Sequence, residues 1–541
     1  MNKYKGFTLV ELIAVIVVLG IVALIATPLI FNTVEKSTKS AYESSAALLV
    51  TAADKYYVEN QLDMEKYAQM NGKTNLFSAV EMRGEKPDGG ELYITQDGNI
   101  AMVVQYEEYC FIKTFYNNDI IELSGNECVL PYADVALRGA DPIITDGMIP
   151  VNIDEDGSLT KASLNEKWYD YANKEWANIV LVKEEKRERY INAESGSVIN
   201  QDDVLAYYVW IPRFSYAIPN GTETRLINIK FESKDSEKSY GTAVGTSYLT
   251  HPAFTFGDKE INGFWVGKFE TGFDKNSELD CYNKGGSYCN KIITTPRILP
   301  GIKSLRNQNV AYQYMTAKEF NNFGVGNMDA HMMKNSEWAA VAYLATSKYG
   351  KGTIEIRVNN NTYNITGCAA TEVNGTATSD CEIAYSVSCS EEDSASTTGN
   401  ITGIYDMNGG SAEYVMGVAG QLVGDEVVAL IGQSSKDRAA FNGLLVNGET
   451  LTGQPFDFPS ERKYYDVYLD FYDNTIKLGS ALTEVSGWNG DKATITAGST
   501  WLVRGGIGTG NSDQTEQAGI FHYSTHYGTA TKNYTFRSVI S

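Results

Sequence analysis

The string Gly6-Phe7-Thr8-Leu9-Val10-Glu11 opens onto Leu12–Val34, a run of 23 residues without a charge. As a helix, such a run is long enough to cross a hydrocarbon core of about 30 Å, so it is read as a membrane segment. Lys3 and Lys5 form a short basic leader, which stays on the cytoplasmic side. A cleaved secretory signal would place a small-residue site after the apolar run. Phe31-Asn32-Thr33-Val34-Glu35 is no such site, and the segment is expected to be retained. Pro28 removes one backbone hydrogen bond and is expected to kink the helix. Val34, Ala41, Leu48, Ala52 and Tyr56 then recur at spacings of seven and four. The helix should therefore continue to about residue 60, with these residues on one face packed against the protein's own head.

The same residues, Gly6 to Glu11 followed by the apolar run and Pro28, resemble the prepilin signature of type IV pilins and secretion pseudopilins. The resemblance implies that a prepilin peptidase cuts between Gly6 and Phe7 and methylates the new N-terminus. The stem then assembles with other pilins. A carboxylate at membrane depth costs roughly 2–3 kcal/mol unless paired, and Glu11 could pair with the free amine of a neighbouring Phe7. Location follows from this: the cytoplasmic membrane before assembly, then an extracellular pilus or the cell surface.

Downstream, β-rich runs flank Asp97-Gly98-Asn99 within residues 91–116, a hairpin signal, and a helix followed by a small antiparallel sheet is the expected head. Cys110 and Cys128 bracket its end, and a bridge between them would staple a sheet with little core of its own. Among the other cysteines, Cys281 and Cys289 lie eight apart, as do Cys381 and Cys389, spacings that suit loop-closing disulfides and leave Cys368 over. Residues 131–150 carry Gly139, Asp141-Pro142 and Asp146-Gly147 and read as a linker. The expected order is leader 1–6, stem helix 7–60, head 61–130, linker 131–150 and a large domain 151–541. Within that domain, the Thr-, Ser- and Asn-rich stretch 350–400 reads as a surface insertion, and residues 335–348 as a helix capped by Ser336 with Trp338, Val341, Ala342 and Ala345 on one face.

The whole chain has 541 residues, enough for two to four domains, and 43% hydrophobic content rules out disorder. Lys+Arg 45 against Asp+Glu 67 leaves a net charge of −22, a field that repels phosphates and excludes a nucleic-acid partner. Glycine is abundant (49), proline is scarce (12), and 35 tyrosines accompany 20 phenylalanines, which points to a turn-rich, largely β body after the stem. The fold class is α+β.

In the large domain, Tyr208-Val-Trp-Ile-Pro-Arg-Phe214, Gly263-Phe-Trp-Val-Gly-Lys-Phe-Glu270, Glu337-Trp-Ala-Ala-Val-Ala342, Gly403-Ile-Tyr-Asp-Met-Asn-Gly-Gly410, Arg504-Gly-Gly506 and Phe536-Arg537 occur in that order. The series resembles the formylglycine-generating-enzyme type of C-type-lectin-like fold over roughly residues 140–541. The resemblance implies a mixed, turn-rich lectin-like domain. In that family a cysteine pair late in the domain, after the Arg-Gly-Gly segment, does the chemistry, and this chain has no cysteine after Cys389. Related iron-dependent sulfoxide synthases use histidines. Of the four here, His522 and His526 stand four apart but in a β- and turn-prone setting, and His251 and His331 lie far off. Gly505 to Gly510 lacks the Lys-Ser/Thr of a phosphate loop. No catalytic residue, metal or cofactor is expected. Asp406, Asn408 and Glu413 read as structural, with local backbone bonds and positive φ at the neighbouring glycines, and an oxygen-ligand calcium site as the alternative.

The last segment also resembles the display region of lectin-fold proteins diversified by retroelements. Trp501, Arg504, Gly505, Gly506, Ala518, Gly519, Phe521, Phe536 and Arg537 look like framework. Thr509, Asn511, His522, Tyr523, Thr525, His526, Tyr527, Asn533 and Tyr534 look like presented side chains that bind a carbohydrate or protein ligand. The expected function is a minor or tip pilin-like subunit displaying this domain for adhesion or ligand capture. The rivals are a surface-tethered enzyme on the same fold and a pseudopilin of a secretion system.

Overall fold

The computed structural model describes residues 8–70, 74–95, 98–113, 120–123, 128, 141–164, 168–220, 225–234, 238–273, 289, 291–373, 376–386, 394–423, 426–430, 445–446, 449–450, 461–468, 478–485, 488–491, 493–495, 501–508 and 518–541. Two compact units result, Met1–Ala133 and Asp134–Ser541.

In the first unit a long helix, α1, runs from Leu9 to Asn60, unbroken through position 28 and ending where the periodicity predicts, and a short helix, Met64–Gln69, follows it. No helix among the described residues is long and apolar enough to cross a membrane, and the side chains of 20–33, the middle of the expected span, lie outside them. The buried face of α1 is Tyr42, Ala46, Leu49 and Ala53. That is one step round from the expected stripe, of which Val34 and Leu48 are 55% and 43% exposed and Ala41 is exposed too. Both stripes share spacings of seven and four, so spacing does not choose between them; the position of the sheet against the helix decides which is covered.

That sheet is an antiparallel meander of Gly89–Ile94, Ile100–Tyr106, Tyr109–Lys113 and Ile121–Leu123. Its first turn is the expected hairpin: Gly98 takes φ +83° and Thr95 N donates to Asn99 O at 2.9 Å. Tyr42 of α1 stacks on Tyr106 with ring centroids 4.9 Å apart. Cys110 and Cys128 are bridged, with Cα atoms 5.6 Å apart, as the sequence suggests.

The second unit is built on two seven-stranded sheets. One is wholly antiparallel, in the order Ala330–Met332, Ser538–Ile540, Gly263–Gly267, Val204–Pro212, Asn178–Val182, Ile149–Ile153, Leu159–Lys161. Val204–Pro212 and Gly263–Gly267 are buried along their whole length, and Trp210 faces Trp265 across them, ring centroids 5.1 Å apart. Ile149–Ile153 belongs to this sheet, although 131–150 reads as a linker. The other sheet is mixed: Ala412–Val423 pairs with Trp501–Gly505, which pairs in turn with Gly519–His526.

Three expectations need correction. The helix Asn335–Ala345 is buried on every side rather than one, and its N-cap is Lys334, whose N–H donates to Glu337 Oε2 at 2.8 Å. Ser336 sits in the first turn, where its N–H meets Asp466 Oδ2 at 2.7 Å. The stretch 350–400 is not a surface excursion: Asn359, Asn360, Asn361, Thr366 and Ala370 are buried, because these amides bridge to the backbone of neighbouring loops. Cys381 pairs with Cys368 and not with Cys389, because loop folding brings residues 13 apart to a Cα separation of 5.3 Å, whereas spacing alone carries no folded distance. Cys289 is disulfide-bonded, and Cys281 and Cys389 lie outside the described residues.

Candidate functional site

At the N-terminus, Gly6 and Phe7 lie outside the described residues. Thr8 caps α1. Its N–H and Oγ1 each donate to Glu11 Oε2 at 2.8 Å, and Glu11 N–H returns a bond to Thr8 Oγ1 at 3.4 Å. This reciprocal box places the carboxylate at the positive end of the helix dipole, where a negative charge is stabilised.

Near the C-terminus, Trp501–Gly505 pairs antiparallel with both Ala412–Val423 and Gly519–His526, and Tyr534–Phe536 runs parallel to Ala412–Val423. The expected framework residues Trp501, Arg504, Ala518, Phe521, Phe536 and Arg537 are all buried. The expected display set divides. His522, Tyr523 and Thr525 are buried, contrary to their reading as presented side chains. The physical reason is that Gly519–His526, paired on both edges by Trp501–Gly505 and Ala493–Thr494, is also packed on both of its alternating faces, with successive residues Gly519 to Tyr523 all buried. Tyr523 instead lies beside the Arg504 guanidinium, 5.9 Å from ring centroid to Cζ. His526, Tyr527, Asn533 and Tyr534 are half-buried. His526 Nδ1 meets the Tyr414 hydroxyl, and the Tyr534 ring stands edge-on to His526 at 4.9 Å. Thr509 and Asn511 lie outside the described residues.

Behind this segment is a buried ionic core. Arg537 is bonded to Glu413, and its other donors reach Gly267 O at 2.8 Å and Tyr405 O at 2.9 Å. Asp406, held at φ +63°, accepts from Gly367 N–H and from Asn359 Nδ2 at 2.9 Å, so its bonds are to a distant loop rather than the local backbone. Gly409 and Gly410 take φ of +83° and +67°, as the motif predicts. Asn408 Nδ2 donates to Ile356 O at 2.7 Å. Burial pushes the Asp406 carboxyl up to about 6, against the pull of the Gly367 N–H bond and Arg537. Burial likewise raises Glu270 well above the carboxylate range, aided by the charges of Asp406 and Glu413. Lys268 is fully buried with Nζ donating to Asn178 Oδ1 at 3.0 Å and Gly403 O at 2.8 Å, and burial drives its amine well below the lysine range. Nothing in the sequence singles out Lys268 beyond its place in the Gly263–Glu270 string.

Among the described residues no group of three or more His, Cys, Asp or Glu side chains is placed to hold a metal ion. The donor oxygens of Asp406 and Glu413 are engaged by protein N–H groups. The histidines are dispersed. His251 is packed among Phe214, Tyr216, Phe254 and Tyr343 and burial pushes it down to about 3, and His331 Nε2 meets Glu337 Oε1 at 3.1 Å.

Beside this core is a cleft of about 360 Å³ whose lining includes Trp168, Trp176, Tyr385, Tyr405, Glu155 and Glu175. Only Tyr405 falls within a string that the sequence reading picks out. The signal that could have found the rest is the clustering of Trp168-Tyr169 and Trp176 between two short strands.

Residues 1–27 match the model for the prokaryotic N-terminal methylation motif. No curated protein matches the chain. Among solved structures, Treponema denticola variable protein 1 aligns at 10% identity over 62% of this chain and 95% of that one, with a TM-score of 0.23, too slight a likeness to assign the fold. The chain thus begins with a methylation motif that leads directly into the helix α1.

Proposed function

We propose that the protein is a minor or tip type IV pilin-like subunit that displays a lectin-like domain outside the cell for adhesion or ligand capture. The observation that carries this reading is the methylation motif over residues 1–27 running into a 52-residue helix, with a separate unit, Asp134–Ser541, downstream. A prepilin peptidase would cut after Gly6, the methylated Phe7 would head the mature stem, and the stem would assemble with other pilins. A passenger of some 400 residues crowds a densely packed shaft, which favours a minor or tip place over the major subunit. Recognition is non-covalent, through the His526, Tyr527, Asn533 and Tyr534 edge together with Thr509 and Asn511, and the ligand is a carbohydrate or a protein. N-terminal sequencing of the mature chain tests the first step: methyl-Phe7 supports it, and a chain still starting at Met1 or lacking the stem overturns it.

A further inference from the structure

Lys268 and Asn178 are each no more than 1% exposed, and Nζ of the one donates to Oδ1 of the other at 3.0 Å. They flank one strand. Val204–Pro212 lies between Gly263–Gly267, which Lys268 follows directly, and Asn178–Val182, which Asn178 begins; Gly267 pairs with Tyr208 and Asn178 with Val209. The two side chains thus meet across the strand between them. The carboxamide is fixed, because Asn178 Nδ2 donates to Trp176 O and to Thr402 O, both at 2.8 Å, which sets the amide plane and turns its carbonyl to the lysine. Nζ has a second acceptor in Gly403 O at 2.8 Å. Two acceptors match the two N–H bonds of a neutral amine and leave its lone pair unspent, whereas an ammonium brings three donors. Burial acts in the same direction and drives the amine well below the lysine range.

We propose that Lys268 Nζ and Asn178 Cγ become joined by an intramolecular amide bond, a covalent strap across the strand Val204–Pro212. The lone pair of Nζ attacks Cγ, the Nζ–Cγ bond forms and the Cγ–Nδ2 bond breaks. Nδ2 departs as ammonia, carrying one proton from Nζ, and no oxidant or further reactant enters. A turn of the lysine side chain brings the lone pair from Oδ1 to the adjoining Cγ. Aminolysis of an amide is slow between free molecules, but two groups held in contact act at effective concentrations of about 10⁵–10⁸ M, and one turnover in the life of the chain suffices. The ammonia has a way out, because the cleft of about 360 Å³ is lined by Trp176 and Thr402, which hold the carboxamide, and by Tyr385 and Tyr405, whose ring centroids lie 5.8 Å and 5.5 Å from Nζ. The strap would tie together residues 90 apart, and, unlike a disulfide, no thiol could open it. It is independent of the stem and of the C-terminal edge, so its failure leaves the reading as a pilin-like subunit untouched.

The test is mass spectrometry of the full-length protein in detergent, folded, aged for several days and then reduced. The intact chain is expected to be lighter than its unlinked form by one ammonia, about 17 Da. After trypsin, Lys268 should no longer be a cleavage site, and its side chain should carry the peptide Glu175–Lys183 in a single branched product. Lys268→Met and Asn178→Ala should each regain the lost mass, and each should run more slowly than the parent on a reducing, denaturing gel. If either variant fails to fold, the parent's own peptides still decide. Cleavage after Lys268 together with recovery of Glu175–Lys183 as a free peptide would overturn the proposal. So would an ammonia loss that maps to any other residue or that persists in Asn178→Ala.

Discussion

Arg537 donates from Nη2 to Glu413 Oε1 at 2.6 Å and from Nε to Glu413 Oε2 at 3.2 Å, and neither side chain is more than 1% exposed. The pair joins the end of the chain to the strand Ala412–Val423, and the same guanidinium bonds Gly267 O and Tyr405 O. One residue therefore ties both large sheets and the Gly403–Gly410 loop together. Removing one partner of such a pair leaves a buried charge uncompensated, at about 3–5 kcal/mol. Glu413→Ala should lose that much stability in urea unfolding of the full-length protein. Glu413→Ala with Arg537→Met should recover part of it, because the stranded charge is then gone. A single variant within about 0.5 kcal/mol of the parent would refute the linchpin role.

The pH dependence of stability should carry the mark of Asp491. Its Oδ2 accepts from Phe521 N–H at 2.8 Å, and burial, with Glu355 adding repulsion, pushes it up to about 7. The folded state therefore holds the proton more tightly than the unfolded chain, whose pKa is near 3.8. Folding stability should fall as pH rises from about 4 to about 7 and level off above, because ionisation inside the fold is resisted. Asp491→Asn keeps an oxygen to accept from Phe521 N–H and removes the titration. The variant should match the parent near pH 4 and exceed it by a few kcal/mol near pH 8. Parallel stability–pH curves for the two proteins would contradict the assignment.

The bridge Cys368–Cys381 closes a short loop, and tethering a loop of that length is worth about 3 kcal/mol by the chain-entropy estimate. Cys368→Ser and Cys381→Ser should each cost stability of that order, and Cys389→Ser should not break this bridge. Peptide mapping without reductant should recover the 368–381 pair. Finding Cys381 joined to Cys389 would restore the pairing that the sequence spacing suggests.

What the sequence shows well is local. The extent of α1, the turn at Gly98 and the positive φ of Gly409 and Gly410 depend on neighbours within a few residues, and all appear in the structure. The partner of Cys381 is 13 residues away, the Nδ2 groups of Asn359 to Asn361 donate to groups 6 to 47 residues away, and the strand that encloses His522, Tyr523 and Thr525 is paired by Ala493–Thr494 and Trp501–Gly505; each depends on how loops and strands fold back on one another, and no spacing reveals it. The stripe on α1 fails for a finer reason. Leu48 and Leu49 are equally apolar neighbours, and only the position of the sheet decides which of them is covered. The cleft escapes because its lining comes from the turn after Ile149–Ile153, the segment from Trp168 to Trp176 and loops more than two hundred residues later.

The Thr8–Glu11 box sets the last expectation. Glu11 here caps its own helix, and such a cap contributes about 1 kcal/mol to helix formation. In a pilin-like assembly the same carboxylate would have a second acceptor role, toward the free amine of a neighbouring Phe7, in a setting where an unpaired charge costs roughly 2–3 kcal/mol. Glu11→Ala removes both roles, and Glu11→Gln keeps the cap while removing the charge. If the charge matters for assembly, both variants should enter filaments poorly, yet the unit Asp134–Ser541 should unfold at the same temperature as in the parent, since no described contact of that unit involves Glu11. If only the cap matters, Glu11→Gln should assemble normally. Immunoblotting of sheared filaments against the membrane fraction separates these outcomes, and normal incorporation of Glu11→Ala would remove Glu11 from the assembly mechanism altogether.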